Sequence, residues 1–66
     1  MKAANDNILI TLNDAARMTS LSRTMVNRYR AKGLFPSAVE MGERRIAFVR
    51  AEVVAWIDER IAARAA

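Results

Sequence analysis

The chain has 66 residues, 53% of them hydrophobic and 27% charged, and its eleven Lys and Arg outweigh seven Asp and Glu to give a net charge of +4. A chain this short is a single small domain with a thin core, since it buries only about 60% of the surface it exposes when unfolded. It has neither cysteine nor histidine, which excludes a disulfide framework, a cysteine-based zinc site and histidine acid–base chemistry.

Residues 1–7 carry no apolar pattern and are expected to form a flexible N-terminus, with 8–66 as the domain. Ile8, Leu9 and Ile10 make a short β-prone run. Thr11 has the character of a helix N-cap, with Asp14 three residues later near the positive helix end. A first helix is predicted over Leu12 to Thr19, with Leu12, Ala15, Ala16 and Met18 at helical spacing. Thr19-Ser20-Leu21 reads as a tight turn. Ser22 is the next N-cap and opens a helix ending at Lys32, where Gly33 stops it and Pro36 forbids continuation. Two short helices joined this closely predict a helix-turn-helix.

Ala38–Met41 and Arg44–Phe48 flank Gly42-Glu43, and a two-residue loop with Gly first predicts a type II′ hairpin. That register sets Met41 against Arg44, Glu40 against Arg45 and Val39 against Ile46, with Val39, Ile46 and Phe48 on the core face. A last helix is predicted from about Arg50 to Ala65. Its apolar stripe is Val53, Val54, Ile57 and Ile61, flanked by Trp56. Trp56 and Phe48 are assigned to the core, with Trp56 largely buried against Tyr29, Phe48 or the first helix. The fold class is therefore mainly α with a small β-hairpin.

Charge is distributed unevenly. Residues 1–16, 17–50 and 51–66 carry net charges of −1, +6 and −1. Seven of the eight cations in the middle segment are arginine, the side chain best suited to paired hydrogen bonds with phosphate or guanine. Such a segment is either a solvated surface that keeps a small protein soluble or the footprint of a polyanion partner. On the second helix, Met25, Val26 and Tyr29 fall on one side. Arg23, Thr24, Asn27, Arg28 and Ala31 fall on the other. Arg reads guanine and Asn reads adenine through the major groove, and these positions lie in the first two turns, where recognition helices touch bases. Ser22 and its neighbouring backbone N–H groups can take a phosphate. Arg28, Lys32 and Arg44 are further phosphate candidates. Arg45 either joins them or pairs with Glu40 across the hairpin.

The carboxylates Asp6, Asp14, Glu40, Glu43, Glu52, Asp58 and Glu59 form no spaced catalytic pair, and no glycine-rich phosphate loop is present. The sequence thus predicts no enzyme, no cofactor and no metal. The longest uncharged runs are Asn7–Asn13 and Gly33–Val39, far short of the about 20 residues of a membrane span. With no apolar stretch behind Lys2, no signal peptide is expected, and a cytoplasmic, nucleoid-associated location follows.

Leu21-Ser22-Arg23, Gly33-Leu34-Phe35-Pro36 and Glu52-Val53-Val54-Ala55-Trp56, in this order and spacing, resemble the AlpA family of small phage-type regulators. That family is close to excisionases and to the DNA-binding domain of MerR-like proteins. The resemblance runs from Ile10 to Arg60. It implies a winged helix-turn-helix protein that binds double-stranded DNA and serves a prophage or other integrated element, as transcriptional regulator or as excision factor. An excision factor shapes DNA for an integrase or recombinase, its expected partner, and the small interface of one winged module predicts self-association or cooperative binding on repeated sites. Four positions depart from the family pattern. Met25 replaces a threonine, Ser20 a glycine, Phe48 a tryptophan and Asn27 a tyrosine. Asn27 lies on the reading face, so the family's DNA sequence preference does not transfer. A different class of function, an adaptor whose basic face meets an acidic protein, is the alternative.

Overall fold

The structure of the protein, a computed structural model, describes residues 7–64. Residues 1–6 of the expected N-terminal segment and Ala65 of the last predicted helix lie outside the described residues. The elements follow in the order β1 (Leu9–Ile10), α1 (Leu12–Thr19), α2 (Arg23–Ala31), β2 (Val39–Gly42), β3 (Arg45–Val49) and α3 (Arg50–Ala63). This is a helix-turn-helix followed by a two-stranded wing and a closing helix. β1 joins the wing on its inner side, giving a three-stranded antiparallel sheet of order β1-β3-β2 with Ile10 opposite Phe48.

Local side-chain chemistry sets both helix starts. The Asp14 N–H donates to Thr11 Oγ1 at 3.0 Å, and the Met25 N–H donates to Ser22 Oγ at 3.1 Å. Each cap satisfies one of the backbone donors that a helix start leaves without a partner. The helix ends are equally regular. After α2 the Gly33 N–H bonds the Arg30 carbonyl and the Leu34 N–H bonds the Tyr29 carbonyl, the paired closure made possible by the left-handed φ of +71° at Gly33. Lys32 is the cap of α2 rather than its last residue.

α1 closes in the same way without a glycine. The Ser20 N–H bonds Arg17 O, the Leu21 N–H bonds Ala16 O, and Ser20 sits at φ +60°. A side chain in that region is strained, whereas glycine is not. Ser20→Gly is therefore expected to raise stability by about 0.5–1 kcal/mol, because it relieves this conformation at the position where glycine is favoured. A urea unfolding midpoint compared with wild type measures it, and a lower midpoint would show that the gain in unfolded-chain entropy prevails.

The wing departs from the predicted register. Val39 faces Ala47, Glu40 faces Ile46 and Gly42 faces Arg45, with an irregularity between Glu40 and Gly42 that leaves Met41 as the extra residue. The turn residues are Glu43 and Arg44, at φ +49° and +68°, so both central positions are left-handed as in a type I′ turn. Gly42, at φ +93°, serves the bulge before the turn and not the turn itself. The cause is long-range. Phe48 must enter the core beside Ile10, and one added residue in β2 absorbs the mismatch with the turn. As a result Val39 shares the face of Ala47, opposite that of Ile46 and Phe48, and does not join the core. Glu40 faces Ile46 instead of Arg45.

The core is built from Ile10, Ala15, Ala16, Val26, Phe35, Phe48 and Val53. Ala15 and Ala16 bring α1 close to its neighbours, while Phe48, Val26 and Val53 fill the centre and are fully buried. Phe35 meets the Phe48 ring edge-on at 5.5 Å and the Trp56 ring at 5.0 Å. On α3 the packed stripe is Val53, Trp56 and Ile57. Ile61 is 49% exposed and Val54 stands outside the core cluster, so the predicted stripe is too wide. Trp56 is partly exposed and packs against the core cluster from outside it. It leans on Phe35 and, at 6.1 Å, on Tyr29, and its Nε1–H donates to the Leu34 carbonyl at 2.8 Å. Arg60 covers its outer face at 4.6 Å. The indole thus fastens α3 to the loop that leaves α2.

Candidate nucleic-acid interface

α2 buries Val26 and turns Ser22, Arg23, Thr24, Asn27 and Arg28 to solvent. This is the division that the 100° step per residue predicts. The wing lies alongside, and two clefts run between them. One, of about 550 Å³, brings Arg23 of α2 together with Arg45 and Met41 of the wing and Thr11 and Asn13 at the start of α1. The other, of about 520 Å³, is lined by Asn27 and Arg30 of α2 and by Glu40 and Ile46 of the wing. Ile46 borders both. The remaining candidates are placed differently. Thr24 and Arg28 are exposed on α2, Lys32 is exposed at its cap and Arg44 is exposed in the turn; none lines either cleft.

The two alternatives for Arg45 separate here. The register moves Glu40 away from it, and the one ion pair among the described residues is Arg17–Asp14 at 3.2 Å. Arg23, Arg28, Arg44 and Arg45 are thus not neutralised by an acid among those residues. Ser22 Oγ is occupied as an acceptor by its cap bond, which leaves its hydroxyl hydrogen free to donate. Guanidinium groups, the Asn27 amide and the free N–H groups at the start of α2 present hydrogen-bond donors along this side of the domain. That arrangement suits an anionic ligand rich in acceptors.

Helical periodicity does not mark Arg30 as a site residue. Its Nη1–H donates to Asn27 Oδ1 at 2.7 Å, and its guanidinium carbon lies 5.6 Å from the centre of the Phe48 ring. The signal was available, because residues three apart on a helix are neighbours. On the wheel, however, Arg30 falls between the two faces. Among the described residues no group of three or more His, Cys, Asp or Glu could hold a metal ion, and no helix is long and apolar enough to cross a membrane.

Comparison with known proteins fits these features. No solved structure matches the chain. The protein is 35% identical over 51 residues to a protein of Enterobacteria phage P4 described as "Uncharacterized protein ORF88". That match covers 77% of this chain and 58% of the phage protein, so the chain spans little more than half of that relative's length. The model of the family described as prophage CP4-57 regulatory protein (AlpA) matches residues 9–61, from β1 into the last turns of α3. Since this match takes in every element of the fold, the chain belongs to the AlpA family of prophage regulatory proteins.

Proposed function

We propose that this protein binds double-stranded DNA sequence-specifically, with α2 in the major groove and the wing on the flanking strand, and so regulates genes or excision of a prophage or other integrated element. Transcriptional control and excision both need this same binding step. The observation that carries the reading is the convergence of Arg23 with Arg45 and of Asn27 with Arg30 on the side of α2 that faces the wing. In this reading Arg23 contacts a guanine or the phosphate beside it, and Asn27 contacts an adenine. Thr24 supplies a further hydrogen bond in the groove. Arg28, Lys32, Arg44 and Arg45 take phosphates, which fix position without reading sequence. Ser22 and the first amides of α2 take one more.

One winged module offers a small contact area. Repeated sites occupied by several copies, or an integrase or recombinase bound alongside, would add to it. The test is a gel-shift screen of genomic fragments in the presence of excess unrelated DNA. A discrete set of fragments is expected to stay bound. Equal loss of every fragment to competitor, alongside capture of an acidic protein, would favour the adaptor role instead.

A further inference from the structure

We infer that Arg30 is a positioning residue for Asn27, so that discrimination at one base of the DNA site depends on both side chains. This rests on the reading of α2 as the recognition helix.

A guanidinium carries five N–H donors and no acceptor, while a carboxamide has an acceptor end and a donor end. With Arg30 Nη1 at 2.7 Å from Asn27 Oδ1, the amide has only one sensible orientation, since the reverse would set donor against donor. An exposed asparagine without such a partner flips freely and offers a base either end. Arg30 removes that freedom.

Arg30 is itself held. Its side chain is half-buried and lies against the ring of Phe48 at 5.6 Å. Phe48 is fully buried and is braced by Phe35 and by the pairing of its strand with Ile10. The Arg30 backbone carbonyl also accepts the Gly33 N–H that closes α2. The orientation of the Asn27 amide is thereby tied to the rigid floor of the domain. Glu40 lines the same cleft, but it forms no ion pair with Arg30, so the guanidinium is not drawn away from the amide. The fixed amide keeps its NH₂ group and the second lone pair of Oδ1 for a base, the donor and acceptor that adenine N7 and N6–H require.

The test is binding-site selection, followed by affinities for the preferred duplex and its single-base variants. Wild type, Asn27→Ala, Arg30→Ala, Arg30→Lys and the Asn27→Ala/Arg30→Ala double variant are compared, with melting curves to establish that each is folded. Both alanine variants are expected to lose about ten-fold discrimination at the same base pair, the value of one good bidentate contact. The double variant should lose no more than either alone. Arg30→Lys keeps the charge but not the planar fork. It should bind unrelated DNA as wild type does while discriminating less at that base pair.

If Arg30→Ala weakens all duplexes alike and leaves discrimination intact, Arg30 is a simple phosphate contact and the inference is overturned while the DNA-binding reading stands. If Asn27→Ala is neutral on a duplex that wild type selects, Arg30 has no reader to position and the inference fails on that ground. If wild type selects no duplex, the proposed function falls, and the inference with it.

Discussion

Phe48→Ala is expected to remove a third or more of the domain's stability. Phe48 is fully buried, carries the edge-on contact to Phe35 and stands opposite Ile10 where the wing joins the helices. Truncating such a side chain costs about 3–5 kcal/mol. At roughly 0.05–0.15 kcal/mol per residue, a chain of this size has only about 3–10 kcal/mol of stability in all. The loss therefore takes a third or more of it. Each kcal/mol lowers the melting temperature of a small domain by about 4–8 °C, so a fall of at least about 12 °C is expected in a circular-dichroism melt. Trp56→Ala should cost less, because the indole is only partly buried and Arg60 is its outer neighbour. A Phe48→Ala protein melting within a few degrees of wild type, or below Trp56→Ala in cost, would show that the core has been placed wrongly.

The helices were legible in the sequence because short-range chemistry determines them. Thr11 and Ser22 cap the third residue beyond them, and Gly33 supplies a left-handed backbone that few side chains tolerate; all of these are set within one turn of chain. Ser20 was visible as a departure from the family pattern, and its cost is a φ of +60°. The wing register was not legible. A turn rule places Gly42 at the first turn position, but the pairing of β1 with β3 and the burial of Phe48 decide which residues face each other, and the bulge at Met41 accommodates both. Phe35 reads as part of a loop motif, yet three-dimensional closure drives it between Phe48 and Trp56. In the candidate interface, the exposed face of α2 followed from periodicity alone. The meeting of Arg23 with Arg45 did not, since it joins two elements more than twenty residues apart.

Arg23→Ala is expected to produce the largest loss in the interface. Arg23 is at the first position of α2 and shares a cleft with Arg45, so in the proposed complex it stands where the groove and the strand backbone meet. Losing a bidentate contact to guanine there costs about 1–3 kcal/mol, roughly 5- to 150-fold in affinity for the preferred duplex. The preference at that base pair should relax as well. Arg45→Ala should behave otherwise. As a phosphate contact it should weaken preferred and unrelated duplexes alike. Both residues are exposed and outside the core, so melting temperatures should stay near that of wild type. Equal behaviour of the two variants on all duplexes would leave Arg23 without a reading role.

The salt dependence of duplex affinity decides whether this basic face binds DNA. Arg23, Arg28, Lys32, Arg44 and Arg45 are the cations assigned to the DNA, and each neutralised phosphate contributes about −0.9 to the slope of log K against log salt. Wild type should therefore show a slope of about −3 to −5, and Arg44→Ala or Arg45→Ala should flatten it by about one unit. A slope near zero for wild type, or one that neither variant changes, would contradict the assignment of this basic face to DNA.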